Sequence, residues 1–322
     1  MNGFKRLRAF FIKWVEQYLF FPTPFQRVIS LAFLPLTVIY CVITAYARVS
    51  KRAIDFELPV ISVGNIVVGG TGKTPVIIAL AKQKNNVAII LRGYGRDSKG
   101  LLVVSKDGKI LQDTKSSGDE AILLAKSLPN ATVIVSENRI EAILKAKELA
   151  CEVIYLDDGY RHHEIKKFDI LLRPKDEPTN LLCLPSGGYR DTKMMYSFAD
   201  MVLRESEAFK RIVTFKKDGQ IIKELPSNIV LLTAISKANR LFEYLPKEIK
   251  SEIYQDHYDF TNEDIQEFNK KYKNPPIVTT AKDLVKLEKF NLKDIYLMDL
   301  EVQIDQEVYK KVDQFINSYF IK

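Results

Sequence analysis

ISVGNIVVGGTGKTP, Ile61 to Pro75, is the stretch from which the fold of this chain is read. A β-branched run enters a glycine-rich loop, and Gly72-Lys73-Thr74 then opens a segment with helical periodicity. Strand, loop and helix in that order form a phosphate-binding loop, in which backbone N–H groups curl around phosphate oxygens at a helix start. Lys73 would reach the β- and γ-phosphates, and Thr74 would offer its hydroxyl to Mg²⁺. Gly69, Gly70, Thr71 and Gly72 supply the loop backbone. The strict pattern GxxxxGK[ST] asks for glycine at position 67, where Val67 stands; Gly64, Gly69 and Gly70 provide the flexibility instead.

Outward from this loop, short apolar runs alternate with amphipathic stretches. Strands are expected at 59–63, 87–91, 132–135, 153–156 and 168–172, with helices at 74–84, 119–128 and 139–149. Such alternation predicts an α/β fold with a mainly parallel sheet covered on both faces. Leu101–Ser105 with KDGK and Ile110-Leu111 reads as an inserted hairpin. A second hairpin, Ile212–Phe215 with KKDGQ and Ile221-Ile222, falls where this series ends. A new α/β series follows from Ile229. The expected organisation is an arm at 1–52, a phosphate-loop domain at 53–208, a two-stranded linker at 209–226 and a smaller α/β domain at 227–322.

Charge is concentrated at one end. The chain has 48 Lys+Arg and 40 Asp+Glu, a net +8 over 322 residues; residues 1–52 hold eight basic side chains and one acid, a net +7. A body so nearly neutral excludes a protein built along its length for nucleic acid. Three scattered cysteines exclude a disulfide framework, and three histidines exclude a histidine-rich metal site. From Val28 to Ala47 runs an uncharged stretch of twenty residues, the length needed to span a bilayer, roughly 20 residues. Pro35 interrupts it, Ser30, Thr37, Tyr40, Thr44 and Tyr46 dilute it, and basic residues flank both ends. Because positive flanks stay on one side, a dip into one leaflet or a helix lying on the surface fits better than a crossing. The preceding FFIKWVEQYLFF suits an interfacial anchor. A buried helical hairpin is the competing reading.

Other motifs are weaker alone. Val153 to Gly159 (VIYLDDG) is an apolar strand ending in Asp157 and Asp158, the form of a Walker B element whose carboxylate holds Mg²⁺. Arg92 to Arg96 (RGYGR) follows a strand at the edge where open α/β sheets bind ligands. Asp119 and Glu120 open a helix and read locally as a cap favoured by the helix dipole. Asp256-His257 is either a carboxylate–imidazole pair or a turn. A GTPase is disfavoured because TAKD at 280–283 has the wrong spacing for base reading, and a transporter ATPase because its signature is absent. The residues alone support a membrane-attached phosphotransferase or NTPase.

Taken in order, GNIVVGGTGKTP (64–75), RGYGR (92–96), SGDEA (117–121), ENR (137–139), LDDGYRHH (156–163), LPSGGYR (184–190), DHYDF (256–260) and TTAKD (279–283) resemble the tetraacyldisaccharide 4′-kinase (lipid A 4′-kinase) family. The resemblance spans nearly the whole chain, and the loop without its early glycine belongs to the family pattern. It implies two α/β/α domains joined by a two-stranded linker. It also implies transfer of the γ-phosphate of ATP to the 4′-hydroxyl of a tetraacyldisaccharide 1-phosphate, giving lipid IV-A at the cytoplasmic face of the inner membrane. The attachment there is peripheral, monotopic or single-span, and no obligate protein partner is evident. By the same resemblance, Lys73 and Thr74 bind phosphate and Mg²⁺, joined at the metal by Asp157, Asp158 and Glu120. Asp119 accepts the sugar proton with His257 as partner, Arg190 stabilises phosphoryl charge, and Arg139 lies nearby. The family's Gln-His-Arg run reads Arg161-His162-His163 here, and Asp191 replaces a glutamate. The alternative class is a membrane-anchored ATPase acting as a regulatory or conformational motor with no lipid acceptor.

Overall fold

The computed structural model describes residues 3–235, 238–256 and 258–320. Three helices form the N-terminal arm: α1 (Gly3–Phe20), α2 (Pro24–Ala32) and α3 (Leu34–Val49). Thr23 and Gln26 make a reciprocal capping box at the start of α2, with Pro24 in its first turn, a combination that satisfies the free N–H groups of a helix start. The uncharged run is broken near Pro35, which occupies the first turn of α3; α2 and α3 meet at 59°. Among the described residues no single helix is long and apolar enough to cross a membrane, although the bent pair together has that length and composition.

The arm is amphipathic in an inverted sense. Gln26, Ser30 and Thr37 are buried, whereas Phe25, Val28, Leu31, Val42 and Ile43 are each about 60–70% exposed. Of the polar side chains that dilute the apolar run, Ser30, Thr37 and Tyr40 dock it, whereas Thr44 bonds within its own helix and Tyr46 is exposed. Thr37 Oγ1 donates to Ser186 Oγ at 2.7 Å and accepts from the Ser186 N–H at 3.1 Å. Ser30 Oγ donates to the Ser186 carbonyl, and Tyr18 donates to the Pro185 carbonyl at 3.0 Å. Gly188 admits the arm closely: a Cβ there would lie 2.4 Å from the Phe20 ring.

The body begins with β1 (Val60–Gly64), α4 (Lys73–Ala81), β2 (Val87–Leu91) and the hairpin β3 (Leu102–Lys106) and β4 (Lys109–Ile110). It continues through α5 (Thr114–Ser117), α6 (Asp119–Ser127), β5 (Thr132–Val135), α7 (Arg139–Glu148), β6 (Val153–Asp157), β7 (Phe168–Arg173) and β8 (Met201–Arg204). These strands order as β4-β3-β5-β2-β6-β1-β7-β8. β1, β2, β5 and β6 are buried at every position, as strands covered on both faces must be, which is why they read as unbroken apolar runs. β1 lies parallel between β6 and β7, with Val63 opposite Asp157. That register sets the exit of β1 beside the acids that end β6.

The second sheet contains β9 (Phe209–Lys217), β10 (Gln220–Ile222), β11 (Val230–Thr233) and β12 (Lys250–Ile253). After α8 (Asn262–Tyr272) come β13 (Ile277–Thr280), α9 (Ala281–Leu287), β14 (Ile295–Ile304) and α10 (Gln306–Asn317). Its order is β10-β9-β14-β13-β11-β12. The hairpin anticipated near 212–222 is β9–β10, and β9 also pairs antiparallel with β14 from Phe209↔Ile304 to Lys216↔Leu297. Phe209 and Ile304, at the root of this ribbon, are buried in the core of the first sheet. Val308, Val312 and Ile316 of α10 join the same core, so the last helix returns to the first sheet.

Because Val is nearly isosteric with Thr but cannot hydrogen-bond, Thr37→Val should leave the N–H and the hydroxyl oxygen of Ser186 each short of a partner. The expected loss is about 1–3 kcal/mol, read from urea unfolding. Unchanged stability would mean that the polar face does not hold the arm.

Candidate active site

The loop after β1 reaches α4 through two residues with left-handed backbone, Gly69 (φ +97°) and Gly72 (φ +87°). Both positions need glycine sterically, and at Gly72 a Cβ would also come within 2.8 Å of the Arg211 guanidinium. Position 67 makes no such demand. Val67 forms a β-bridge with Tyr189, and the Val68 N–H donates to the Gly188 carbonyl at 2.8 Å. The early glycine is dispensable because this part of the loop is extended backbone laid against the segment that receives the arm.

Lys73, the first residue of α4, donates to Asn65 Oδ1 at 3.3 Å and lies 3.7 Å from Asp158. Arg190 grips Asp158 with both terminal nitrogens, at 2.9 and 3.0 Å, and donates to the Asn65 backbone carbonyl at 2.7 Å. Burial pushes the Asp158 carboxyl upward, but the Arg190 hydrogen bonds and the charges of Lys73 and Arg190 outweigh it and hold the pKa down to about 2. Asp157 behaves in the opposite way. Burial dominates and raises its carboxyl to about 7, against the pull of Lys73 and with the help of Glu120 and Asp158. Its Oδ2 accepts from the Thr74 hydroxyl at 3.4 Å, and its Oδ1 is buried without a hydrogen-bond partner. Arg139, itself buried, donates to the Asp157 carbonyl at 3.3 Å.

A cavity of about 1200 Å³ opens between the two sheets, with Lys73, Asp157 and Arg190 on one wall and Lys282 and Asp256 on the other. Asp119 opens α6 and is buried. It is the first helical residue after the N-cap Gly118 rather than the cap itself; its Oδ1 accepts the Glu120 N–H at 2.9 Å, while Lys286 and Lys282 approach its Oδ2 at 3.7 and 3.9 Å. Lys282 also meets Glu120 at 3.3 Å and Asp256 at 3.5 Å. Burial disfavours the Lys282 ammonium, but Glu120, Asp119 and Asp256 outweigh that and raise its pKa. His257 lies outside the described residues. Of the four expected metal ligands, Thr74 and Asp157 sit together, Asp158 is ion-paired, and Glu120 faces Lys282. Asp191 pairs with Arg161 at 3.5 Å, and His162 with Glu164 at 2.9 Å. Asn65, Lys282 and Arg211 carry contacts that the sequence reading did not single out. Asn65 and Lys282 were visible only as members of longer motifs, and Arg211 had no local signal.

The family model described as tetraacyldisaccharide-1-P 4′-kinase matches residues 29–317. The tetraacyldisaccharide 4′-kinase of Aliarcobacter butzleri (strain RM4018) is 57% identical over 307 residues, covering 95% of this chain and 98% of that protein. The Helicobacter acinonychis (strain Sheeba) protein of the same name is 41% identical over 307 residues, with 95% and 96% covered. The chain belongs to the tetraacyldisaccharide 4′-kinase family. Among solved structures, the "apo" form of LpxK from Aquifex aeolicus in complex with ATP superposes with a TM-score of 0.70 at 29% identity, covering 91% of this chain and 99% of that one.

A tetraacyldisaccharide 4′-kinase that uses Mg²⁺ needs no closed metal cage, and among the described residues no cluster of three or more His, Cys, Asp or Glu forms one. Mg²⁺ is bound through one or two carboxylates together with phosphate oxygens and water. The unpartnered Asp157 Oδ1 beside the Thr74 hydroxyl fits that open arrangement.

The raised Asp157 pKa gives two signed consequences. Folding favours its protonated form, so its contribution to stability is full below the unfolded carboxyl range, near 3.9, and is lost as pH rises through the folded value. Were Asp157 to hold Mg²⁺ as a carboxylate, binding of Mg²⁺-nucleotide would expel that proton. Titration calorimetry in buffers of different ionisation enthalpy should find up to about one proton released at pH 6 and almost none well above pH 8. Asp157→Asn should abolish the release; equal release from that variant would place the proton elsewhere.

Proposed function

We propose that this chain is an ATP-dependent lipid kinase that transfers the γ-phosphate of ATP to the 4′-hydroxyl of a tetraacyldisaccharide 1-phosphate, giving lipid IV-A. The observation that carries the reading is one cavity holding both halves of the reaction: the phosphate-loop Lys73 on one wall and Glu120, beside the buried Asp119, on another. Phosphoryl transfer through a loose transition state depends mainly on positioning and positive charge. Lys73 and Arg190 supply charge from the protein, and the Gly69–Gly72 backbone cradles the phosphates. Thr74 and Asp157, with Asp158 in support, would hold Mg²⁺, which would supply further positive charge for the β- and γ-phosphates. Asp119 receives the hydroxyl proton. The ammonium groups of Lys282 and Lys286 lie 3.9 and 3.7 Å from its Oδ2, where they offset the charge of a general-base carboxylate. His257, which follows Asp256 in the sequence, is assigned as its partner from the family resemblance. A motor or regulatory ATPase without a lipid acceptor finds no support in the kinase family to which the chain belongs.

The same reading places the enzyme on a membrane. The arm turns its polar side chains to the body and its apolar ones outward, which is unfavourable in water and favourable against acyl chains. The eight basic residues at 1–52 suit an anionic lipid surface. The ATP requirement assigns the cytoplasmic face, and the bend between α2 and α3 favours insertion into one leaflet.

With γ-labelled ATP and the tetraacyldisaccharide acceptor, label should appear in the lipid, and Asp119→Ala should abolish it while nucleotide still binds. Label found only as free phosphate would sink the kinase reading, and normal labelling by Asp119→Ala would remove that residue from the base role. The membrane reading is tested separately by Val42→Glu combined with Ile43→Glu, on the exposed face. Losing two buried aliphatic side chains costs roughly 3–6 kcal/mol of insertion. Vesicle sedimentation should therefore collapse while activity on detergent-dispersed acceptor persists; undiminished sedimentation would overturn the placement.

A further inference from the structure

Asn65 follows Gly64 at the end of β1 and is 1% exposed. Its Nδ2 donates to the Val67 carbonyl at 2.7 Å and to the Gly69 carbonyl at 3.2 Å. Its Oδ1 accepts from Lys73 at 3.3 Å and from Arg190 in a short contact, and its backbone carbonyl accepts from Arg190 at 2.7 Å. Two donors and two acceptor sites are the whole capacity of a carboxamide, and all are used. The donors hold the stretch 67–69, where this loop has a valine in place of glycine. The acceptor holds two cations that otherwise meet only at Asp158.

We propose that Asn65 is the positioning residue of this phosphate loop, shaping it through Nδ2 and parking Lys73 and Arg190 on Oδ1 until phosphate oxygens take them over. Chemistry explains the residue type. A neutral amide oxygen binds cations more weakly than an anionic oxygen, so it yields them to phosphate, whereas a carboxylate in the same place would compete. Aspartate also lacks the two donors that the Val67 and Gly69 carbonyls require. Serine has one donor, and glutamine adds a methylene to a closed site. The residue touches no reacting atom; it acts through Lys73, Arg190 and the loop backbone. The inference rests on the nucleotide half of the proposed function and is independent of the acceptor.

The test measures ATP affinity by calorimetry for the full chain carrying Asn65→Ala or Asn65→Asp, with the wild type as the control for nucleotide binding itself. Asn65→Ala loses the loop contacts but frees the cations; Asn65→Asp loses the same contacts and holds the cations harder. Kd should rise about tenfold for Asn65→Ala and about a hundredfold for Asn65→Asp, the scale of one and two charge-assisted contacts. A purely architectural role predicts the reverse order, because alanine leaves more groups unpaired and a cavity. That order, or Kd values within twofold of wild type, would overturn the proposal. Should both variants fail to fold, a wild-type nucleotide complex decides. Lys73 and Arg190 should then contact phosphate and leave Oδ1, while Nδ2 stays on Val67 and Gly69. A complex in which both cations keep Oδ1 overturns the proposal equally.

Discussion

Charge compensation at the joined ends of β1 and β6 constrains everything around it. Lys73, Arg190 and Arg139 meet Asp157 and Asp158 in a region largely closed to water. Isolated charges there would cost several kcal/mol each. The parallel register that sets Val63 opposite Asp157 makes mutual neutralisation possible, and the two acids divide the work. Asp158 takes two cations and stays ionised; Asp157 keeps one oxygen unpartnered and holds a proton near neutral pH. A site so arranged balances its charges without ligand yet keeps one carboxyl oxygen that an arriving cation can claim by displacing a proton.

The same residues tie the arm to the chemistry. Residues 180–190 receive the buried polar face of α2 and α3, extend past Val67 as a bridge, and end at Arg190. Tyr40 of α3 donates to the Arg190 carbonyl at 2.8 Å, and Arg48 donates to the Tyr160 hydroxyl at 2.9 Å, close to the Asp157-Asp158 turn. The arm is thus a wall of the nucleotide site as well as an outward apolar surface. Reading its hydroxyls as dilution of a membrane span missed this, because hydropathy sums a helix over all its faces. Which face carries the polar atoms depends on the docking partner, more than 100 residues away in the chain.

Legibility followed how local the determining physics is. The central strands were readable because strands covered on both faces are continuous apolar runs bounded by turns, and the runs at 87–91 and 132–135 coincide with β2 and β5 residue for residue. Gly69, Gly72, Lys73 and Thr74 were readable because loop geometry and helix start impose residue type locally. β8 and α10 were not. Met201–Arg204 alternates weakly, and the apolar stripe of α10, Val308, Val312 and Ile316, gains meaning only against the first sheet. Asp119 was ambiguous for a physical reason: a carboxylate in the first turn of a helix is favoured by the helix dipole whatever else it does, and Asp119 sits there, accepting the Glu120 N–H. Its long-range neighbours Lys282 and Lys286, delivered by the fold from another domain, carry no local signal.

How the two sheets are joined limits the motion that can complete the site. Phe209 and Ile304 anchor the β9–β14 ribbon in the first core, and α10 returns there immediately afterwards. The second sheet is therefore held at the root of the ribbon by apolar burial, and at α9 both by Val285, which joins the first core, and by the ion pairs of Lys282 with Asp119 and Glu120. The burial is indifferent to charge, whereas the ion pairs are not. Nucleotide phosphates and a metal ion entering the cavity change the field at Glu120 and Lys282 without touching the root.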